Sequence, residues 1–184
     1  MFEQFDLDSE LLGGINNAGF TKPTSIQSLV IPEAMSGKDV LASAPTGTGK
    51  TAAFLLPAAQ HLLDYPRTKP GFPRVLVLTP TRELAIQIHE QSELLTSLTN
   101  IKTAVITGGV NYGSHKEILT ETTDMLIATP GRLLEYIENE QFDAREIEIL
   151  ILDEADRMLD MGFTETINRI VGEARWRKQT MLFS

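Results

Sequence analysis

The run Ala42–Phe54, ASAPTGTGKTAAF, holds residue types suited to gripping phosphate. Gly47 and Gly49 let the backbone turn its N–H groups inward around phosphate oxygens. The helix expected from Lys50 adds the partial positive charge of its N-terminus. Lys50 can reach β- and γ-phosphates, and the Thr51 hydroxyl can ligate Mg2+. The strict pattern G-x-x-x-x-G-K-[ST] would put glycine at position 44, where this chain has Ala44. Alanine is small enough to keep the turn, provided its φ is negative. The stretch Leu150–Phe163, LILDEADRMLDMGF, supplies complementary acids. Asp153 closes an apolar run, the place from which a carboxylate serves Mg2+. Glu154 can orient or deprotonate a water attacking the γ-phosphate. Acids also favour the first turn of a helix for structural reasons alone. Beside a phosphate loop, that bland reading loses ground.

The elements that must position these groups can be read from periodicity. Apolar, β-branched runs at Asp39–Ser43, Arg74–Thr79, Lys102–Thr107, Asp124–Thr129, Glu148–Asp153 and Gln179–Ser184 are expected strands. They are nearly continuous in apolar residues, which implies burial on both faces. Helical patterns lie between them. In Thr81–Leu98, for example, Leu84, Ile88, Leu95 and Leu98 share one face. Such alternation implies an α/β fold, a parallel sheet with helices on both faces, its ligand site beyond the carboxyl ends of the strands. Helical segments around Ser9–Ala18 and Thr24–Met35 precede the first strand, so residues 1–36 form a flank and 37–184 the core of one domain. Pro57 is expected to kink or end its helix near Leu56. The Pro- and Gly-rich loop Tyr65–Arg74 is the clearest linker, too short to divide domains.

With 184 residues, 42% of them hydrophobic and 22% charged, the composition is that of an ordinary globular domain. No apolar run is long enough to span a bilayer, and no membrane partner is expected. The acidic N-terminus lacks a basic stretch followed by an apolar one, so no signal peptide is expected. With no cysteine, disulfides and thiolate metal sites are excluded, in keeping with a cytoplasmic location. The net charge of −9 excludes a broad basic face for nucleic acid. Contacts to such a partner must be local and geometric, or the main basic surface lies outside this chain.

Taken together, DEAD at Asp153–Asp156 and APTGTGKT at Ala44–Thr51 resemble the DEAD-box family of ATP-dependent RNA helicases. That family's phosphate loop commonly begins with alanine. The likeness runs through essentially the whole chain. GFTKPTSIQ (Gly19–Gln27) resembles the adenine-reading Q motif, with Phe2 at the place of its isolated upstream aromatic. PTRELA (Pro80–Ala85), GG (Gly108–Gly109) and TPGR (Thr129–Arg132) resemble the RNA-contacting motifs. The resemblance implies a RecA-like P-loop NTPase domain using ATP and Mg2+. Phe20, Lys22, Gln27 and the loop residues Ala44, Pro45, Thr46, Gly47, Thr48, Gly49, Lys50 and Thr51 would hold nucleotide. Thr51 and Asp153 would serve the metal, partly through water, and Lys50, Asp153 and Glu154 would be catalytic.

The side chains suit those roles. Gln27 carries donor and acceptor on one amide, able to read adenine N6 and N7, and Phe20 offers a stacking face. TSIQ is equally a capping box in which Gln27 closes a helix on Thr24, and one side chain can do both. Pro80, Thr81, Arg82, Gly108, Gly109, Thr129, Pro130, Gly131 and Arg132 would meet RNA, the strand-to-helix junctions presenting N–H groups and arginines to a single strand along the sheet edge. Threonine N-caps and solvated arginines are the plain alternative. Contacts to phosphate and 2′-OH would select RNA without reading sequence. His61, His89 and His115 lack metal-like spacing and are expected on surfaces or helices. Trp176 is expected to be partly buried with solvated basic neighbours, and Met158 and Met161 to pack a helix.

The chain ends in QTMLFS, and Ser184 would be the first residue of the family's S-A-T motif. With Asp156, Ser184 would couple hydrolysis to strand separation. The resemblance implies a second RecA-like domain as partner, supplying arginine fingers worth about 10³–10⁵ in rate in related systems. Without it the chain is expected to bind nucleotide with almost no RNA-stimulated hydrolysis. SAPTGTGKTAAFLLPAAQHLLDYPR, ITGGVNYGSH and RWRKQTMLFS resemble most the bacterial SrmB-type subgroup, which implies pre-ribosomal particles of the large subunit as partners. Two other readings stand beside this one. A DNA-directed P-loop motor is disfavoured by the Q motif. A nucleotide-dependent scaffold without turnover is disfavoured by Lys50, Asp153 and Glu154 together.

Overall fold

A computed structural model of the chain describes residues 1–184. Six strands form one fully parallel sheet: β1 (Val40–Ala42), β2 (Val75–Leu78), β3 (Thr103–Ile106), β4 (Met125–Ala128), β5 (Ile149–Leu152) and β6 (Gln179–Phe183). Their order is β1-β6-β5-β2-β4-β3, which puts the strands ending in Thr79 and Asp153 side by side at the centre. The eight α-helices are α1 (Ser9–Asn17), α2 (Ser25–Met35), α3 (Lys50–Asp64), α4 (Arg82–Leu95), α5 (Tyr112–Thr120), α6 (Pro130–Glu138), α7 (Ala155–Asp160) and α8 (Thr164–Glu173). Short 3₁₀ turns occupy Phe2–Phe5 and Ala144–Glu146.

The period-two alternation of each strand sorts side chains into two cores. Val75, Val77, Ile149, Ile151, Met181 and Phe183 face one layer, packed by α1 to α4 and the N-terminal Phe2, Phe5 and Leu7. Leu76, Leu78, Leu126, Leu150 and Leu152 face the other, packed by α5 to α8 through Leu119, Leu133, Met158, Ile167 and Ile170. The central strands β2, β4 and β5 are buried at every residue, as their continuous apolar character implies. The outer strands are not. β1 pairs only with β6 and leaves Leu41 84% exposed, and β3 alternates because its second edge has no strand beside it.

Several local expectations need correction. Pro57 does not break its helix, and α3 runs unbroken to Asp64. Proline removes one bond to the preceding turn, but α3 is buried along nearly its whole length between sheet and α2, and that packing holds it. Pro32 sits inside α2 in the same way. Leu98 lies past the end of α4 and is 54% exposed, whereas Ile88 and Leu95 carry the buried stripe. His61, His89 and His115 do lie on helices as expected, His115 buried with its Nδ1 2.7 Å from the Tyr136 hydroxyl. Trp176 is 69% exposed, and its neighbour Arg177 is partly buried, donating to Thr180 Oγ1 and to the Ala174 carbonyl. Met158 is fully buried, while Met161 is half exposed.

Candidate nucleotide site and nucleic-acid face

The phosphate loop joins β1 to α3 at the carboxyl end of the sheet. Gly47 and Gly49 have φ of 87° and 86°, the left-handed region that glycine alone enters without penalty. Ala44 has negative φ, so the missing glycine costs the turn nothing. Its N–H donates to the Ser184 carbonyl at 3.0 Å, and the Ser184 N–H donates to the Ala42 carbonyl at 3.1 Å. The end of β6 thus fixes the start of the loop. Thr48 Oγ1 donates to the Pro45 carbonyl at 2.6 Å and closes it.

Lys50 opens α3 and is 6% exposed. Its Nζ donates to Glu154 Oε1 at 2.7 Å and lies 3.2 Å from Asp153 Oδ1. Burial alone would lower its pKa; the two carboxylates outweigh burial and hold it above the ordinary lysine value. Asp153, 3% exposed, behaves in the opposite way. Burial pushes its carboxyl above the usual range, with Lys50 offsetting only part of the cost and neighbouring Glu154 adding to it. Its Oδ1 is within ion-pair distance of Lys50 yet receives no well-directed hydrogen bond. One ammonium is shared between two acids, and the buried one is under-compensated. Glu154 reaches this position with φ 56° and ψ 46°, a left-handed conformation uncommon outside glycine, as the residue preceding α7.

An added cation fits this donor set. No group of three or more His, Cys, Asp or Glu residues can cage a metal here. Mg2+ is commonly held by one or two carboxylates together with phosphate oxygens and water, and an orphaned, buried carboxylate oxygen is such a partner.

Of the adenine-reading candidates, Gln27 reaches the same loop. Thr24 caps α2, its Oγ1 accepting from the Gln27 N–H while Gln27 Oε1 accepts from the Thr24 N–H at 2.9 Å, so the capping box is present. Gln27 also donates from Nε2 to the Gly49 carbonyl at 3.0 Å. The glutamine therefore fastens the flank to the phosphate loop, with one amide N–H and one lone pair still uncommitted. Phe20 is half-buried, with Phe2 stacked on one face at 6.5 Å between centroids. Lys22 is exposed.

The nucleic-acid candidates gather where β2, β3 and β4 end. Thr81 caps α4, with Oγ1 accepting from the Leu84 N–H, and Arg82 is exposed beside Gly109. Thr129 Oγ1 accepts from the Gly108 N–H at 3.3 Å, joining the TPGR and GG segments. Pro130 starts α6, and Gly131 is exposed. Arg132 is already engaged: it donates to the Val110 carbonyl, pairs with Glu135 and lies 5.9 Å over the Tyr136 ring. It braces the GG loop, leaving Arg82 as the open cation of this face. Asp156 is exposed.

Two features escaped sequence reasoning. Thr79, wholly buried at the end of β2, stands beside the acids, and a period-two reading of that strand would have placed it there. The Gln27–Gly49 bond spans 22 residues and leaves no local signal.

Residues 24–184 match the DEAD/DEAH box helicase family. The chain belongs to that family. It is 61% identical to the ATP-dependent RNA helicase SrmB of Haemophilus influenzae and 59% identical to that of Escherichia coli, in each case along its whole length. A probable ATP-dependent RNA helicase of Homo sapiens, DDX27, is 47% identical over the whole chain. The chain spans 42% and 41% of the two SrmB proteins and 24% of the human one. A hypothetical ATP-dependent RNA helicase from Sulfolobus tokodaii superposes with a TM-score of 0.85 at 36% identity, covering 97% of this chain and 50% of that one. The six-stranded parallel sheet with helices on both faces thus has the RecA-like fold of this family. No helix is long and apolar enough to cross a membrane.

Proposed function

We propose that this chain is the ATP-binding and hydrolysing domain of an ATP-dependent RNA helicase that unwinds short RNA duplexes or remodels ribonucleoprotein. The observation that carries the reading is Lys50, held by Asp153 and Glu154 at the mouth of a loop turned by two positive-φ glycines. A scaffold that only bound nucleotide would have no use for the second, strained carboxylate.

The residues divide the work as follows. Phe20 and the uncommitted amide groups of Gln27 meet adenine, with Lys22 at the rim. Backbone N–H groups from Ala44 to Thr51 surround the phosphates. Lys50 leaves its carboxylates for the β- and γ-phosphates, which offer more negative charge. Thr51 and Asp153 would hold Mg2+, which when bound neutralises charge on the β- and γ-oxygens. Glu154, freed from Lys50, orients and deprotonates the attacking water. Asp156 and Ser184 sit beside the acids and the loop, where they would pass nucleotide state to a second RecA-like domain. Arg82, Thr81 and the Gly108–Gly109 and Thr129–Arg132 junctions would take a single RNA strand by its backbone. The SrmB-type likeness supports a cytoplasmic role on pre-ribosomal particles of the large subunit.

The deciding experiment uses the full-length protein. Glu154→Gln keeps size and hydrogen bonding but removes the base. RNA-stimulated ATP hydrolysis should fall at least about 100-fold, with nucleotide affinity within a few-fold of the parent. Unchanged turnover would remove Glu154 from its role.

A further inference from the structure

Thr79 ends β2 directly before Pro80 and is fully buried, yet its Oγ1 finds no hydrogen-bond partner in the protein. An unpaired buried hydroxyl is costly, and folds generally avoid it. Strand alternation fixes where it points. Val75 and Val77 face the layer that contains α3, so Thr79 faces it too. Ile149 and Ile151 face the same layer, and so does Asp153. Leu78 pairs with Leu152, and the Asp153 N–H donates to the Leu78 carbonyl at 2.8 Å, so Thr79 and Asp153 are neighbours across adjacent strands. Strands of a sheet lie about 4.8 Å apart. On its other side Thr79 neighbours Thr129, whose hydroxyl oxygen already accepts from the Gly108 N–H. Two buried oxygens therefore lack directed partners, Thr79 Oγ1 and Asp153 Oδ1, and both lie on the Lys50 side of the sheet.

We propose that Thr79 is a positioning residue of the nucleotide site: its hydroxyl hydrogen-bonds the oxygen shell that Mg2+–nucleotide brings beside Asp153, and so fixes the Asp153 carboxylate. This rests on the nucleotide reading above. A group kept for a bound state should be a liability in the free one. Removing the hydroxyl should therefore relieve the empty protein and weaken the loaded one.

The test compares Thr79→Val and Thr79→Ser with the parent chain, using thermal unfolding without ligand and titration with fluorescent ADP in Mg2+ or in EDTA. For Thr79→Val we expect an unliganded melting temperature equal to or above the parent's. Affinity in Mg2+ should drop roughly three- to tenfold, as loss of one hydrogen bond implies, with affinity in EDTA unchanged. Thr79→Ser should restore the Mg2+ affinity. A parent-like Mg2+ affinity in Thr79→Val, or an equal loss in Mg2+ and EDTA, would overturn the proposal. So would a melting temperature several degrees lower, which would make the hydroxyl structural. A parent chain whose ADP affinity ignores Mg2+ would also overturn it, whereas a parent chain that binds no ADP in either condition would overturn the nucleotide reading itself.

Discussion

Gly49 shows how tightly a single position can bind two motifs. A Cβ there would lie 2.4 Å from Gln27 Nε2 and 3.0 Å from Thr24 Oγ1, at a φ of 86° that alanine resists. Gly47 has the same handedness, with φ of 87°, but open space around it. The two glycines separate backbone strain from contact. Gly47→Ala should cost about 1–2 kcal/mol, the price of left-handed φ alone. Gly49→Ala should add displacement of Gln27 and lower ADP affinity by more than tenfold. Combining it with Gln27→Ala should recover part of the stability loss, a coupling readable in a double-mutant cycle by urea denaturation. At this scale the sequence was informative where a residue type is tied to chemistry. Lys50, Asp153 and Glu154 converge as their motifs imply. It was ambiguous for Gln27, because T-x-x-Q is written identically for a helix cap and a base reader, and the cap is present. It was silent on Arg132's partners within the chain, since no local pattern reports that an arginine will be drawn to the Val110 carbonyl and the Tyr136 ring.

Elements were legible wherever period and burial agree. All six strands appear at the expected places, trimmed by a residue or so at their ends. The misreadings arose where tertiary packing overrode local preference, as at Pro57 in the buried α3. The flank supplies the sharpest test of element packing. Gly13 and Gly14 both lie in α1, which crosses α4. A Cβ on Gly14 would sit 2.1 Å from the Leu95 carbonyl oxygen, a backbone atom that cannot step aside. A Cβ on Gly13 would meet only the terminal Cδ1 of Leu98, at 2.6 Å. Gly14→Ala should therefore destabilise by about 1–3 kcal/mol through overpacking. Gly13→Ala should be near neutral, because alanine's helix preference offsets a small rotation of an exposed leucine. Denaturation midpoints of the two variants check the contrast, which sequence periodicity could not supply because adjacent glycines look alike in it.

At the scale of the whole molecule, His115 and Glu148 should make stability depend on pH because their protons are harder to bind when folded, with the raised Asp153 carboxyl acting in the opposite direction at acid pH. Burial against Tyr136, reinforced by the nearby Arg132 charge, holds the His115 imidazole below its usual value of 6.5. Glu148 is lowered from 4.5: burial opposes ionisation, but hydrogen bonds from His61 and Arg74 together prevail. In both cases the unfolded chain binds the proton more readily, so stability rises with pH through the window between folded and unfolded values. Acidification should first cost stability below about pH 6.5, as unfolded His115 gains a proton that the core refuses. A second loss should begin below about pH 4.5, where unfolded Glu148 protonates while the native residue keeps its ion pairs. Each group contributes a slope of at most about 1.4 kcal/mol per pH unit. The measurement is the urea midpoint from pH 8 to 4 for the parent, His115→Gln and Glu148→Gln. His115→Gln should flatten the upper part of the curve and leave the lower part in place, whereas Glu148→Gln should do the reverse. A parent curve flat between pH 7 and 5.5 would mean that His115 titrates alike in both states, against its burial beside an arginine. The two arms are separable because His115 meets Tyr136 between α5 and α6, whereas Glu148, just before β5, is held by His61 and Arg74.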